Sequence, residues 1–182
     1  MQTRPFAAVL IAALALFAAG CQTGAQSKAT PNATVSKAEQ EMMEDLAHAN
    51  IAEIQTGKLA LSRSNNPSVR QFAQRMIDDH TTMTQDLQKL AQAKGIQLPT
   101  ETDVQHKALA GALKGLSALS GNAFDRQYIA QVGVADHKRT HELLEKVERT
   151  ATDPEFRALA KKAKPVVHEH LVLAQQLADA NK

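Results

Sequence analysis

The stretch NPSVRQFAQRMIDDHTTM, Asn66 to Met83, opens with a helix-capping asparagine and a proline at the first helical position. Apolar residues then return at steps of three and four: Val69, Ala73, Met76, Met83, Leu87 and Leu90. His80 falls on the same seam, so a polar ring is carried into an otherwise apolar stripe. This period predicts an amphipathic helix, ended by Gly95.

The same start signal recurs downstream. DPEFRALA, at Asp153–Ala160, repeats the cap, the proline, the arginine and the alanine at equal offsets, and both copies run on to Leu-Ala at Leu90 and Leu177. Each copy follows a long helical period. Lys37 to Ser64 has no proline and one glycine, and a further helix is predicted from about Asn122 to Thr150. The chain therefore reads as two helical hairpins of similar design. Pro165 should bend the last helix, because its ring removes one backbone hydrogen bond.

Between the hairpins, Ile96 to Leu119 is long, with LPTETD extended and VQHKALAGALKGL a short amphipathic helix. Its reach of roughly 45 Å matches the roughly 42 Å length of a 28-residue helix. It can cross the length of a bundle, as in ferritin-like folds, or cap one end of an up-down order. The predicted class is all-α: a ferritin-like four-helix bundle with a long crossover containing a short helix, spanning 37–182.

Residues 1–20 stand apart from this domain. Arg4 precedes a 14-residue small and apolar run, Phe6–Ala19, too short for a membrane span of about 20 residues, so it reads as a signal peptide. Its end, AAGC, resembles a bacterial lipoprotein signal in which Cys21 would be lipidated and become the new N-terminus, although Ala18 stands where such signals most often carry Leu. Cys21 is the only cysteine, so neither an intramolecular disulfide nor an all-cysteine metal site can form. Residues 21–36, rich in Thr, Ser and Gly, read as a flexible tether.

Taking 20 residues from 182 leaves 162, enough for one domain. With Arg4 gone, 20 basic residues face 19 acidic ones. That balance and the scarcity of aromatics give no case for nucleic acid.

The helical period also sorts the remaining histidines into inward and outward positions. In the last helix Phe156, Leu159, Ala163, Val166, His170, Leu173 and Leu177 form the seam, which turns His170 inward and His168 outward. Ala130, Val134, His137, His141 and Leu144 form a stripe that presents two imidazoles one turn apart. In the first helix Leu46, Asn50, Glu53, Gly57 and Ala60 share one face, beside a stronger apolar one. His48 and His106 read as surface residues. Measured from the hairpin turns at about 1.5 Å per residue, Glu53, His80, His137, His141 and His170 all lie near mid-height. Such a layer reads as a metal site, with a hydrogen-bonded His–Glu–Asn–Tyr core as the alternative. Met76 and Met83 are weaker candidates, since buried thioethers are mostly core filler.

NIAEIQTGKLAL, NPSVRQFAQRMIDDHT, LAQAKGIQLP, FDRQYIAQVGVADH and HEHLVLAQQLA together resemble the ferritin-like "predicted outer membrane protein" family, domain of unknown function 4142. The resemblance covers nearly all of the chain beyond the leader. It implies a four-helix ferritin-like bundle outside the cytoplasm and maps the family's helix-borne polar positions onto Glu53, His80, His137 and His170. It brings no established reaction.

A di-iron carboxylate centre needs Glu-x-x-His on two helices. The residues three before His80 and His170 are Ile77 and Val167, which argues against ferroxidase chemistry. Imidazoles with one carboxylate and nearby thioethers suit zinc or copper better. No nucleophile with an adjacent base and no phosphate loop stands out, so the expected role is non-catalytic. The expectation is a lipid-anchored envelope protein that binds a transition metal or small ligand, with a structural or interaction module as the alternative. Gln22 after the cysteine points to the periplasmic face of the outer membrane; envelope protein partners are not legible. Two or more acyl chains anchor stably, at about 0.8 kcal/mol per buried CH₂. Cys21→Ser should therefore move the protein from the membrane to the soluble fraction. Unchanged fractionation, with no lipid label on the parent, would remove the lipoprotein reading.

Overall fold

The computed structural model describes residues 35–100 and 114–181, all within the unit Asn32–Lys182. The expected signal peptide, Cys21, residues 22–34 of the tether and residues 101–113 of the connection lie outside the described residues. Among the described residues every regular element is helical. Helix α1 is Lys37–Arg63 and α2 is Pro67–Ala93. A third rod is made of α3 (Gly121–Tyr128), a π-helical segment (Ile129–Asp136) and α4 (His137–Thr150). The last helix, α5, is Pro154–Ala180 and runs through Pro165.

Local chemistry accounts for these ends. Asn66 and Asp153 cap α2 and α5 by accepting backbone N–H bonds from the next turn, with Pro67 and Pro154 at the first positions. Ser36 and Glu39 form a reciprocal capping box on α1. Gly95 takes φ of 70°, the left-handed conformation that stops α2. The short turns 64–66 and 151–153 force α1 against α2 and α4 against α5, and α2 also packs on α5.

The buried residues form two apolar clusters. One contains Met43, Leu46, Leu87, Leu144, Phe156 and Val167; the other contains Ala60, Phe72, Met76, Phe124, Tyr128 and Ala174. Every rod passes from one cluster to the other, and on every rod polar residues intervene: Asn50 and Glu53 on α1, His80 on α2, His137 and Thr140 on α4, His170 on α5. The mid-height layer expected from the sequence is thus a polar belt between two hydrophobic halves.

Two seams differ from expectation. On α5 the buried residues are Phe156, Ala160, Ala163, Val167, His170 and Ala174, one position on from Leu159, Val166 and Leu173. Small residues face inward because the rods approach closely. A Cβ added at Gly133 would stand 2.8 Å from that of Ala174. On the third rod Ile129, Val132 and Gly133 are buried before His137, whereas Ala130 is exposed and Val134 half-buried. The cause is the π segment. His137 lies nine positions after Tyr128, which in an α-helix of 3.6 residues per turn would put these two buried residues on opposite sides. The wider i→i+5 turns return His137 to the Tyr128 face.

Glu39 ties the hairpins together. Besides capping α1, its carboxylate accepts the N–H groups of Thr152 at 2.7 Å and Asp153 at 2.9 Å, in the turn between α4 and α5. Burial pushes its pKa up, but hydrogen bonds from Asp153, Ser36 and Thr152 outweigh this and hold it at about 2. Glu39→Ala should destabilise the protein by roughly 2–3 kcal/mol in denaturant melts. Because the folded pKa is depressed, the contribution is present above about pH 4.5 and fades as pH falls toward 2.

Candidate metal centre

His80, His137 and His170 are 1%, 1% and 0% exposed. Their ring centroids form a nearly equilateral triangle, 5.5 Å for His80–His137, 5.5 Å for His80–His170 and 5.3 Å for His137–His170. One ring nitrogen from each lies within 4.8 Å of the other two.

Each ring is oriented by an oxygen that can only accept, and this fixes its tautomer. His80 Nδ1–H donates to Asn50 Oδ1 at 2.9 Å. His137 Nδ1–H donates to the Val132 carbonyl at 2.9 Å, within the π segment. His170 Nε2–H donates to Asp79 Oδ2 at 2.8 Å, and Arg75 holds that carboxylate at 3.2 Å. The nitrogens left over, Nε2 of His80, Nε2 of His137 and Nδ1 of His170, have no hydrogen-bond partner. Three unprotonated imidazole nitrogens therefore remain in one buried layer, each backed by an N–H···O bond of the kind that orients metal-bound histidines.

Burial keeps these rings neutral. It lowers the His80 pKa well below 6.5, aided by the neighbouring His137 and His170. It lowers His137 to about 4 despite the bond to Val132. It also lowers His170, with Asp79 pulling partly the other way. Burial raises the Glu53 pKa well above 4.5, and Asp136 adds to this. Burial thus acts against charge on both partners of the 3.5 Å contact between His137 Nδ1 and Glu53 Oε1.

The remaining candidates stand elsewhere. Glu53 is buried but lies on the N–H side of His137, away from the partnerless Nε2. His141, expected to share the inward stripe, lies outside the group: the buried residues of α4 are His137, Thr140, Leu144 and Val147, and His141 is one position off. Its ring faces that of exposed His168 at 5.6 Å. Met76 is fully buried among Phe72 and Tyr128 in one apolar cluster. Met83 is half-buried and lines a cavity of about 130 Å³, beside Leu87 and Leu144, that reaches Asn50 and Asp79. His48 is half-buried on α1. Sequence reasoning missed Asp79 as a partner; its only local signal is the Arg75–Asp79 spacing on the face beside His80.

A family model described as a domain of unknown function, DUF4142, matches residues 24–177. The chain belongs to the DUF4142 family. Comparison with the curated proteins and with the solved structures returned no match. Among the described residues no helix is long and apolar enough to cross a membrane. Membership in DUF4142 brings no assigned chemistry, so the three histidines carry the functional argument.

Neutral buried histidines make metal-free stability pH-dependent. Between about pH 6.5 and 4 the unfolded chain binds more protons than the folded one, so stability falls as pH drops through that window. His137 alone accounts for about 3 kcal/mol of that loss. Glu53 acts in the opposite sense: its raised pKa gives stability present below about pH 4.5 and lost as pH rises through the folded value. Glu53→Gln should therefore stabilise the metal-free protein at neutral and mildly alkaline pH while leaving the acid decline in place. Denaturant melts across pH read both effects, and a parent curve flat between pH 6.5 and 4 would contradict the neutral buried cluster.

Proposed function

We propose that this protein is a lipid-anchored envelope protein whose ferritin-like four-helix-bundle domain binds one transition-metal ion through His80, His137 and His170, in metal handling rather than catalysis. The observation that carries this reading is the set of three partnerless ring nitrogens, one per histidine, in a single buried layer. A purely hydrogen-bonded core would pair those acceptors, because a buried polar atom without a partner costs about 1–3 kcal/mol. Here each ring spends its N–H on an outer acceptor and keeps its lone pair.

The spacing supports the same reading. A metal about 2.0 Å from each nitrogen, in line with the rings, sets the three centroids about 5.2–5.5 Å apart for tetrahedral to planar arrangements. The observed separations are 5.3–5.5 Å. Ligand nitrogens at that bond length stand about 3.3–3.5 Å apart, so the wider 4.8 Å limit calls for ring rotation with little centroid movement. Zinc and copper are among the metals that imidazole donors suit in such a site. Asn50, Asp79 and the Val132 carbonyl would act as outer supports, and Glu53 would border the site without joining it.

A second reading, a small apolar ligand, is favoured by the cavity that reaches Asn50 and Asp79. A molecule seated there would touch the groups that hold His80 and His170.

Melting of metal-stripped protein separates metal from core. A stoichiometric ion that binds only the folded state should raise Tm, by about 2.7 kcal/mol of stabilisation at 100-fold Kd. His80→Ala, His137→Ala or His170→Ala should abolish the rise, while His141→Ala, His168→Ala and His48→Ala should keep it. No response of the parent to Zn²⁺, Cu²⁺ or Cu⁺ would sink the metal reading.

A further inference from the structure

We infer that the three-histidine layer selects Cu(I) over Zn(II), an inference that rests on the metal reading above. The donor set is the first reason. It is three neutral nitrogens, and among the described residues no carboxylate or thiol joins the group. The nearby carboxyl groups lie on the outer side of the rings. Asp79 holds the N–H of His170 and is itself matched by Arg75, and Glu53 stands 3.5 Å from the Nδ1 side of His137. A divalent ion would thus keep both charges unmatched by its own ligands in a layer where the rings are at most 1% exposed. Burying charge is costly, and the Born cost rises with the square of the charge, so a monovalent ion meets about a quarter of it.

Coordination number is the second reason. Zinc in proteins is four-coordinate, and a site with three protein ligands takes its fourth from water or substrate. The layer is closed above and below by apolar clusters, so a fourth ligand would have to come from within the polar belt itself. Zn(II) and Cu(I) are both d¹⁰ and free of ligand-field demands, so the difference is charge: monovalent Cu(I), the weaker Lewis acid, has less need of a fourth donor beyond three neutral nitrogens. The nearly equal centroid separations of 5.5, 5.5 and 5.3 Å match a three-fold arrangement.

The acceptors preserve this selectivity. Asn50, Val132 and Asp79 fix each N–H outward, so Cu(I) meets lone pairs already free of protons. Binding displaces no proton from these rings and requires no anionic ligand.

The test uses the full chain carrying Cys21→Ser, which removes its only thiol and so any thiolate site for copper. Cu(I) affinity is measured under reductant and without oxygen by competition with a chromophoric Cu(I) chelator, and Zn(II) affinity by competition with a zinc chelator. The expected result is one Cu(I) per chain, held at least about 100-fold more tightly than Zn(II), with X-ray absorption showing three nitrogen neighbours. His80→Gln and His137→Gln, with helical content checked by circular dichroism, should each weaken Cu(I) by at least about 10-fold. Zinc bound as tightly as Cu(I), or tighter, overturns the selectivity while leaving the metal reading intact. Binding of neither ion overturns both. Selective Cu(I) binding that survives both substitutions overturns the assignment to this layer.

Discussion

An imidazole buried in an apolar interior must place its N–H on an acceptor, and three such rings share one level of this molecule. The bonds from His80 to Asn50, from His137 to Val132 and from His170 to Asp79 meet that demand, each from a different helix. They fix more than the rings. His80 and Asn50 set α2 against α1 in height, His170 and Asp79 set α5 against α2, and the two apolar clusters fill the space on either side. A slip of one residue in either pairing would bury an unpaired donor, so the polar belt also specifies register.

The π segment serves the same constraint by another route. It turns His137 onto the face already occupied by Tyr128 and brings the Val132 carbonyl within reach of the ring it displaces. Gly133 sits at its centre, where a side chain would collide with Ala174. Widened helical turns recur at functional sites because they re-aim a single side chain without breaking the helix. Here the re-aimed side chain completes the triangle, and Glu53, whose pKa burial raises, is left beside its N–H rather than drawn into the set. A carboxylate that does carry charge in the interior is Glu39, at the far end of α1, where five donors surround it.

The sequence by itself determined what depends on near neighbours along the chain. Ser36, Asn66 with Pro67, Gly95, and Asp153 with Pro154 mark helix ends through bonds made within a few residues, and the 3.6-residue period announces the rods between them. The inward turn of His80 and His170 was legible for the same reason, since each lies on an apolar seam of its own helix. Mid-height was legible too, because rise per residue is constant and the hairpin turns are short.

Only the tertiary structure decided which nitrogen of each ring is left free, because the acceptors come from other helices or from the main chain. Asn50 was legible as an inward polar residue, but its pairing with His80, like that of Asp79 with His170, follows from how far α1 and α2 are rotated against their neighbours. His141 was misread because the stripe through Ala130 and Val134 assumes a uniform helix, and the π segment adds residues to the turn and shifts every position after it. The α5 seam moved by one residue because rods that approach closely put Ala160 and Ala174 inward and leave the larger Leu159 and Leu173 on the flank. Helix existence is a local energy and survives in the sequence, whereas rotation about the helix axis is settled by packing between distant segments.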